Sequence, residues 1–143
     1  MKTVKDILAL KAAVVFSVSP EVTVFEALEI MMDKNISALL VMENQALKGI
    51  FTERDYARKI VLKGKSSKDT PVSEIMTAEN LITVSSKDTI DHCMNVMTQR
   101  HIRHLPVVDN NLVCGMVSIG DVVKSIIEVQ QSTIQQLESY INS

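Results

Sequence analysis

The chain has 143 residues, of which 46% are hydrophobic and only 3% aromatic, and its formal net charge is −2. That balance argues against a duplex nucleic-acid binder, which needs a basic face to neutralise phosphates. No apolar run approaches the roughly 20 residues that span a bilayer, and two cysteines, Cys93 and Cys114, form neither a disulfide framework nor a C-x-x-C pair.

The N-terminal stretch, residues 1–16, carries acidic Asp6 and no long uninterrupted apolar segment. It reads as part of the fold rather than as a signal peptide, and a soluble, cytoplasmic protein is expected. Near Thr23 the pattern predicts a helix: Val24, Ala27, Leu28 and Met31 fall at i, i+3, i+4 and i+7. The apolar run Ile36–Met42 is short enough to be a buried strand. A polar turn, Glu43-Asn44-Gln45, leads to a second strand, Leu47–Phe51, and a second helix is expected from Thr52. Gly49 lies inside that strand, where a close backbone approach is the usual reason for glycine. The polar segment Lys63–Pro71 reads as a connection. Its lysines read as a solvated face, with a docking surface as the alternative.

The same order then recurs. Ile90, Cys93, Met94 and Met97 repeat the helical stripe; Ile102–Val108 and Leu112–Val117 repeat the strands; Gly115 and Ser118 repeat Gly49 and Thr52. Residues 18–58 align without a gap to residues 84–124, with ten of 41 positions identical. Val4–Leu8 also resembles Val72–Met76, but at a spacing of 68 rather than 66. A repeat of this kind means two like units, with any site tending to occur twice. The expected divisions are residues 1–65, residues 66–128 and a C-terminal helical extension, 129–143, which is expected to pack on a partner subunit.

The strongest constellation is Gly49-Ile-Phe-Thr-Glu-Arg-Asp55 and its copy Gly115-Met-Val-Ser-Ile-Gly-Asp121. Each runs from a strand into the first turn of a helix, where free backbone N–H groups suit a phosphate. An Asp there can accept from ribose hydroxyls, and Arg54, Arg58 or Lys124 can reach a phosphate. The plainer reading is a helix cap, with Thr52 and Ser118 capping and the Asp residues favouring the positive end of the helix. Both roles can coexist, because a cap uses only part of a carboxylate's acceptor capacity.

The duplicated pattern, the strand Arg103-His-Leu-Pro-Val-Val-Asp109 and the Gly-x-x-Ser/Thr-x-x-Asp turn together resemble a tandem pair of CBS (cystathionine β-synthase) domains, over roughly residues 4–128. The resemblance implies an α+β fold: two β-α-β-β-α repeats packed sheet to sheet with pseudo-two-fold symmetry. It implies clefts between the repeats that bind AMP, ADP, ATP, NAD(H) or S-adenosylmethionine, and commonly a homodimer. The family's ribose-binding Asp falls on Asp55 and Asp121, and its hydroxyl on Thr52 and Ser118. The adenine is expected against Ile36-Ser37-Ala38, with Val22 and Ala27 near, for the Asp121 cleft, and against Ile102-Arg103-His104 for the Asp55 cleft. Arg103 and His104 are expected to reach phosphates. Gly120 leaves room for ligand where Arg54 either fills its cleft or binds phosphate, so the Asp121 cleft is expected to be the better site.

The implied function is an adenine-nucleotide-sensing regulatory module that signals to an unidentified regulated protein by conformational change, with AMP ranked first, NAD(H) or ATP next and S-adenosylmethionine last. The alternative is a ligand-free scaffold that dimerises through the same fold. No catalysis and no metal are expected: His101 and His104, three apart on a predicted strand, would point to opposite faces. Cys93 and Cys114 both read as small core residues, and the methionines at 31, 32, 94 and 97 as core or as packing between repeats.

Overall fold

The computed structural model describes residues 1–11 and 15–142. Residues 12–14 of the N-terminal stretch and Ser143 of the expected extension lie outside the described residues. The elements in chain order are α1 (Val4–Leu10), β1 (Ser17–Val18), α2 (Val24–Lys34), β2 (Ala38–Glu43), β3 (Ala46–Thr52), α3 (Glu53–Tyr56), α4 (Ile90–Arg100), β4 (His104–Asp109), β5 (Leu112–Ser118) and α5 (Ile119–Asn142). A π-helical stretch, Ala57–Val61, prolongs α3, and a 3-10 turn spans Val72–Glu74.

These elements fall into two compact units. One holds residues 15–82 and 110–113; the other holds the described parts of 1–14, 83–109 and 114–143. The units cut across the boundary expected at residues 65 and 66. Val4–Leu8 precedes the first repeat yet belongs to the unit of the second, and Val72–Met76 precedes the second repeat yet belongs to the unit of the first.

In the first repeat, Thr23 opens α2 by accepting a hydrogen bond from the Glu26 N–H at 3.1 Å. Asn35 closes it in the left-handed conformation, at φ 54°. The sheet order is β1-β2-β3, with Val18 opposite Val41 in the parallel pair and Leu40 opposite Ile50 in the antiparallel one. Asn44 and Gln45, at φ 52° and 67°, form the tight turn between β2 and β3. The connection over residues 63–71 packs rather than simply trailing in solvent. Thr70 is buried, its carbonyl accepts from the Val24 N–H at 2.9 Å, and the Lys68 ammonium lies 5.0 Å from the centre of the Phe25 ring.

The second repeat uses the same devices. Thr89 caps α4, Val84 bridges in parallel to Val107, and Asn110 and Asn111 turn β4 into β5 with φ 50° and 65°. His101 does not lie on a strand, as its spacing from His104 suggested. It ends α4 in the left-handed conformation, at φ 56°, where a residue leaving a helix needs that geometry.

The two cores match residue by residue. Val18, Val24, Ala27, Met31, Leu39, Val41 and Phe51 are buried in the first repeat; Val84, Ile90, Cys93, Met97, Leu105, Val107 and Val117 are their buried counterparts in the second. The lead-in segments contribute Val72 and Ile75 to one unit and Val4 and Ile7 to the other. Each large aliphatic side chain buried in this way contributes roughly 1.5–3 kcal/mol. Burial and the charge of Asp88 push the Cys93 thiol up to about 11, consistent with an inert core residue. Cys114 and Met32, also expected inside, are instead exposed, Cys114 on β5 and Met32 on the outer face of α2.

Candidate functional site

Both strand-to-helix turns are capping boxes, and both engage their carboxylate further. In the first repeat β3 delivers Thr52 to the start of α3. The Thr52 hydroxyl accepts from the Asp55 N–H at 3.2 Å, and the Asp55 Oδ2 accepts from the Thr52 N–H at 3.0 Å and its hydroxyl at 3.1 Å. The Oδ1 accepts from the Thr77 hydroxyl and the Lys59 ammonium, each at 3.1 Å. Lys59 also donates to the Ile75 carbonyl at 2.9 Å. The Asp55 side chain is consequently only 9% exposed.

In the second repeat β5 delivers Ser118 to the start of α5. The Ser118 hydroxyl accepts from the Asp121 N–H at 3.2 Å, and the Asp121 Oδ2 accepts from the Ser118 N–H at 2.9 Å. The same oxygen meets the Lys11 ammonium at 2.9 Å, and Lys11 also donates to the Met116 carbonyl at 3.0 Å. Burial pushes the Asp121 carboxyl up. The Ser118 N–H, the Lys11 ammonium and the Ser118 hydroxyl outweigh it, so the group lies below the usual carboxylate value. The side chain is 23% exposed, against 9% for Asp55.

Each turn is tied to its own repeat's first strand region. The Ser37 carbonyl accepts from the Glu53 N–H at 3.2 Å, and the Arg103 carbonyl from the Ile119 N–H at 2.8 Å. Ala38 is buried opposite Thr52. His104 is half-buried within electrostatic range of Asp121, and its imidazole is held below its usual value by burial and by the charges of Arg103 and Lys11. The expected residues therefore collect as Ser37, Ala38, Thr52 and Asp55 in one unit, and Arg103, His104, Ser118, Gly120 and Asp121 in the other. Val22 and Ile36 pack against the first hydrophobic core, and the Val22 carbonyl accepts from Val72. Ile102 is half-buried, and its N–H donates to the Met97 carbonyl. Arg54 is exposed.

The family model for the CBS domain matches residues 3–62 and again 72–128. The chain belongs to the CBS domain family. It is 47% identical over 123 residues to the mitochondrial CBS domain-containing protein CBSX3 of Arabidopsis thaliana, covering 83% of this chain and 60% of that protein's length. The structure superimposes with a TM-score of 0.85 on a putative signal-transduction protein with CBS domains from Burkholderia ambifaria, at 45% identity over 89% of this chain and 95% of that one. A more distant CBS pair, of protein MJ0100, was solved with 5'-methylthioadenosine and S-adenosylmethionine bound. It has a TM-score of 0.76 and 28% identity, over 88% of this chain and 96% of that one.

The glycines of the two CBS repeats show what each lead-in segment does. A Cβ on Gly49 would lie 2.8 Å from both the Met76 Sδ and the Thr77 carbonyl oxygen. A Cβ on Gly115 would lie 2.8 Å from Leu8 Cδ2. The close approach expected of both glycines is thus made to the segment that also supplies Thr77 or Lys11 to the Asp. At Gly120 a Cβ would meet, among the described residues, only the Ser118 Oγ, at an ordinary contact distance of 3.7 Å. Sequence reasoning missed Lys11, Lys59 and Thr77. Only Lys59 carried a local signal, since Asp55 and Lys59 stand at the i, i+4 spacing of helical ion pairs.

Proposed function

We propose that this CBS pair is a regulatory module, not an enzyme, that binds AMP or a related adenosine ligand at its two hydroxyl–Asp turns. The Asp121 turn is the stronger site in this reading, and a regulated protein reads the ligand-dependent change. The observation that carries it is the second turn itself. A cap hydroxyl and a carboxylate stand at the start of a 24-residue helix, with Lys11, Arg103 and His104 around them and no side chain at Gly120. The contacts of Asp121 with Ser118 and Lys11 both fall on Oδ2, and a carboxylate offers about four acceptor sites. Ribose hydroxyls can use the remainder, while the helix N-terminus and the neighbouring cations suit a phosphate. The adenosine compounds bound by the MJ0100 pair support the ligand class. NAD(H), ATP and S-adenosylmethionine follow AMP in the ranking, the last because it brings no phosphate.

A second reading, a ligand-free scaffold, draws on the first turn. Asp55 is nearly covered, with Thr52, Thr77 and Lys59 all donating to it. Calorimetric and thermal-shift titration with AMP, ADP, ATP, NADH and S-adenosylmethionine separates the two. Saturable binding of at least one is expected, and no response to any at millimolar concentration leaves the scaffold.

A further inference from the structure

The long helix α5 has two apolar faces, and the repeat accounts for one of them. In the first repeat the counterpart helix, α3 with its π-helical extension, runs from Glu53 to Val61. Helix α5 runs 24 residues, from Ile119 to Asn142, about 36 Å at 1.5 Å per residue. Its buried residues, Val122 and Ser125, belong to the part that the first repeat also has. All of residues 129–142 are exposed. A helical segment of that length is marginal on its own in water.

Five of the seven exposed large apolar residues of α5 fall on one series, and Val129 and Tyr140 lie off it. Val123, Ile127, Ile134, Leu137 and Ile141, with Gln130 completing the series, succeed one another at steps of 4, 3, 4, 3 and 4. That is the seam of a heptad repeat, which packs against another helix. The five apolar members are between 40% and 78% exposed. At 100° per residue they share a stripe well away from Val122 and Ser125.

We propose that this stripe binds the same stripe of a second copy of the chain, as an antiparallel two-helix coiled coil centred on Ser132. Charge complementarity selects this occupant and this direction. Between Val129 and Asn142 the helix carries a single charge, Glu138, and the nearest cation preceding that stretch is Lys124. Antiparallel pairing about Ser132 sets Val123 across from Ile141 of the second copy, Ile127 across from Leu137 and Gln130 across from Ile134. It also brings Lys124 beside Glu138 on the flank, and symmetry makes that ion pair twice. In a parallel pairing Glu138 faces Thr133 of the other helix and Lys124 has no acidic neighbour. The single polar Gln130 in the seam lowers stability but restricts register. This inference concerns the tail alone and stands apart from the nucleotide reading.

The test is sedimentation equilibrium on the full chain. Wild type is expected to self-associate. Ile134→Asp with Leu137→Asp is expected to weaken that association at least a hundredfold while leaving a cooperative thermal transition, because both side chains are already exposed. Lys124→Glu alone is expected to weaken it roughly threefold to tenfold, as two surface ion pairs would, and adding Glu138→Lys in the same chain is expected to restore it. A monomeric wild type, or an assembly that survives the double Asp change, overturns the proposal. Failure of the charge swap to restore association overturns the antiparallel arrangement.

Discussion

The Thr52–Asp55 and Ser118–Asp121 turns are the same device set in different surroundings. Each begins a helix with a reciprocal pair of hydrogen bonds, and each receives a further donor from a lead-in segment. In the first, a hydroxyl and a lysine one helical turn away close over the carboxylate and leave it 9% exposed. In the second, one lysine reaches in from residue 11 and leaves the side chain 23% exposed, beside an exposed glycine rather than Arg54. The lesson is that a duplicated motif need not keep one environment: the shared cap starts a helix in each copy, and its surroundings set how much of the carboxylate stays exposed.

The largest effects should come from the matched cores. Phe51 is fully buried, and its counterpart is the smaller Val117. Phe51→Ala should cost about 3–5 kcal/mol in urea unfolding, and Val117→Ala less. Equal costs would show that the two cores do not carry their repeats in proportion to buried volume. Next come the carboxylates. Asp55→Ala should cost about 2–4 kcal/mol, since a cap and charged hydrogen bonds are lost from a covered site. Asp121→Ala should cost about 1–2 kcal/mol, with the same measurement deciding. The glycines follow. Gly49→Ala drives a methyl into the Thr77 carbonyl as well as Met76, and should destabilise by about 1–3 kcal/mol. Gly115→Ala meets, among the described residues, the flexible end of Leu8 and should cost less.

The smallest effects are those of pH. The folded Asp121 carboxyl lies below its ordinary 3.8, so its contribution is complete above that value. It is lost as pH falls from 3.8 through the lower folded value. Acid unfolding of Asp121→Asn should show that portion missing. His104 lies below its ordinary 6.5, so the folded state favours the neutral ring. Acidification below 6.5 therefore costs stability until the folded ring itself protonates. A phosphate bound beside His104 should raise its titration point and tighten AMP binding as pH falls through that range. An NMR titration of His104 with and without AMP would show the shift, and an unchanged titration would separate His104 from the phosphate.

Much of this contrast was legible in the chain, because the signals were local. Thr23 and Thr89 announce their helices, and the left-handed pairs Asn44-Gln45 and Asn110-Asn111 announce their hairpins. The stripes through Ala27 and Cys93 identify the core faces by period alone. Gly49 and Gly115 signalled a close approach, but what approaches comes from Met76 and Thr77 in one case and from Leu8 in the other. Lys11 lies 110 residues from Asp121, a distance that no pattern within either repeat spans. His101 was misread because a residue between a helical stripe and an apolar run can end the one or begin the other. Only its backbone conformation decides.

The central claim is that the two turns have diverged, the first toward holding the fold and the second toward holding a nucleotide. Calorimetric titration of AMP into wild type, Asp55→Ala and Asp121→Ala tests it most directly. The account predicts saturable binding to wild type, a loss of tenfold or more for Asp121→Ala, and a smaller loss for Asp55→Ala despite its greater cost in stability, with about tenfold corresponding to 1.4 kcal/mol. Equal losses, or a greater loss at Asp55, would contradict it.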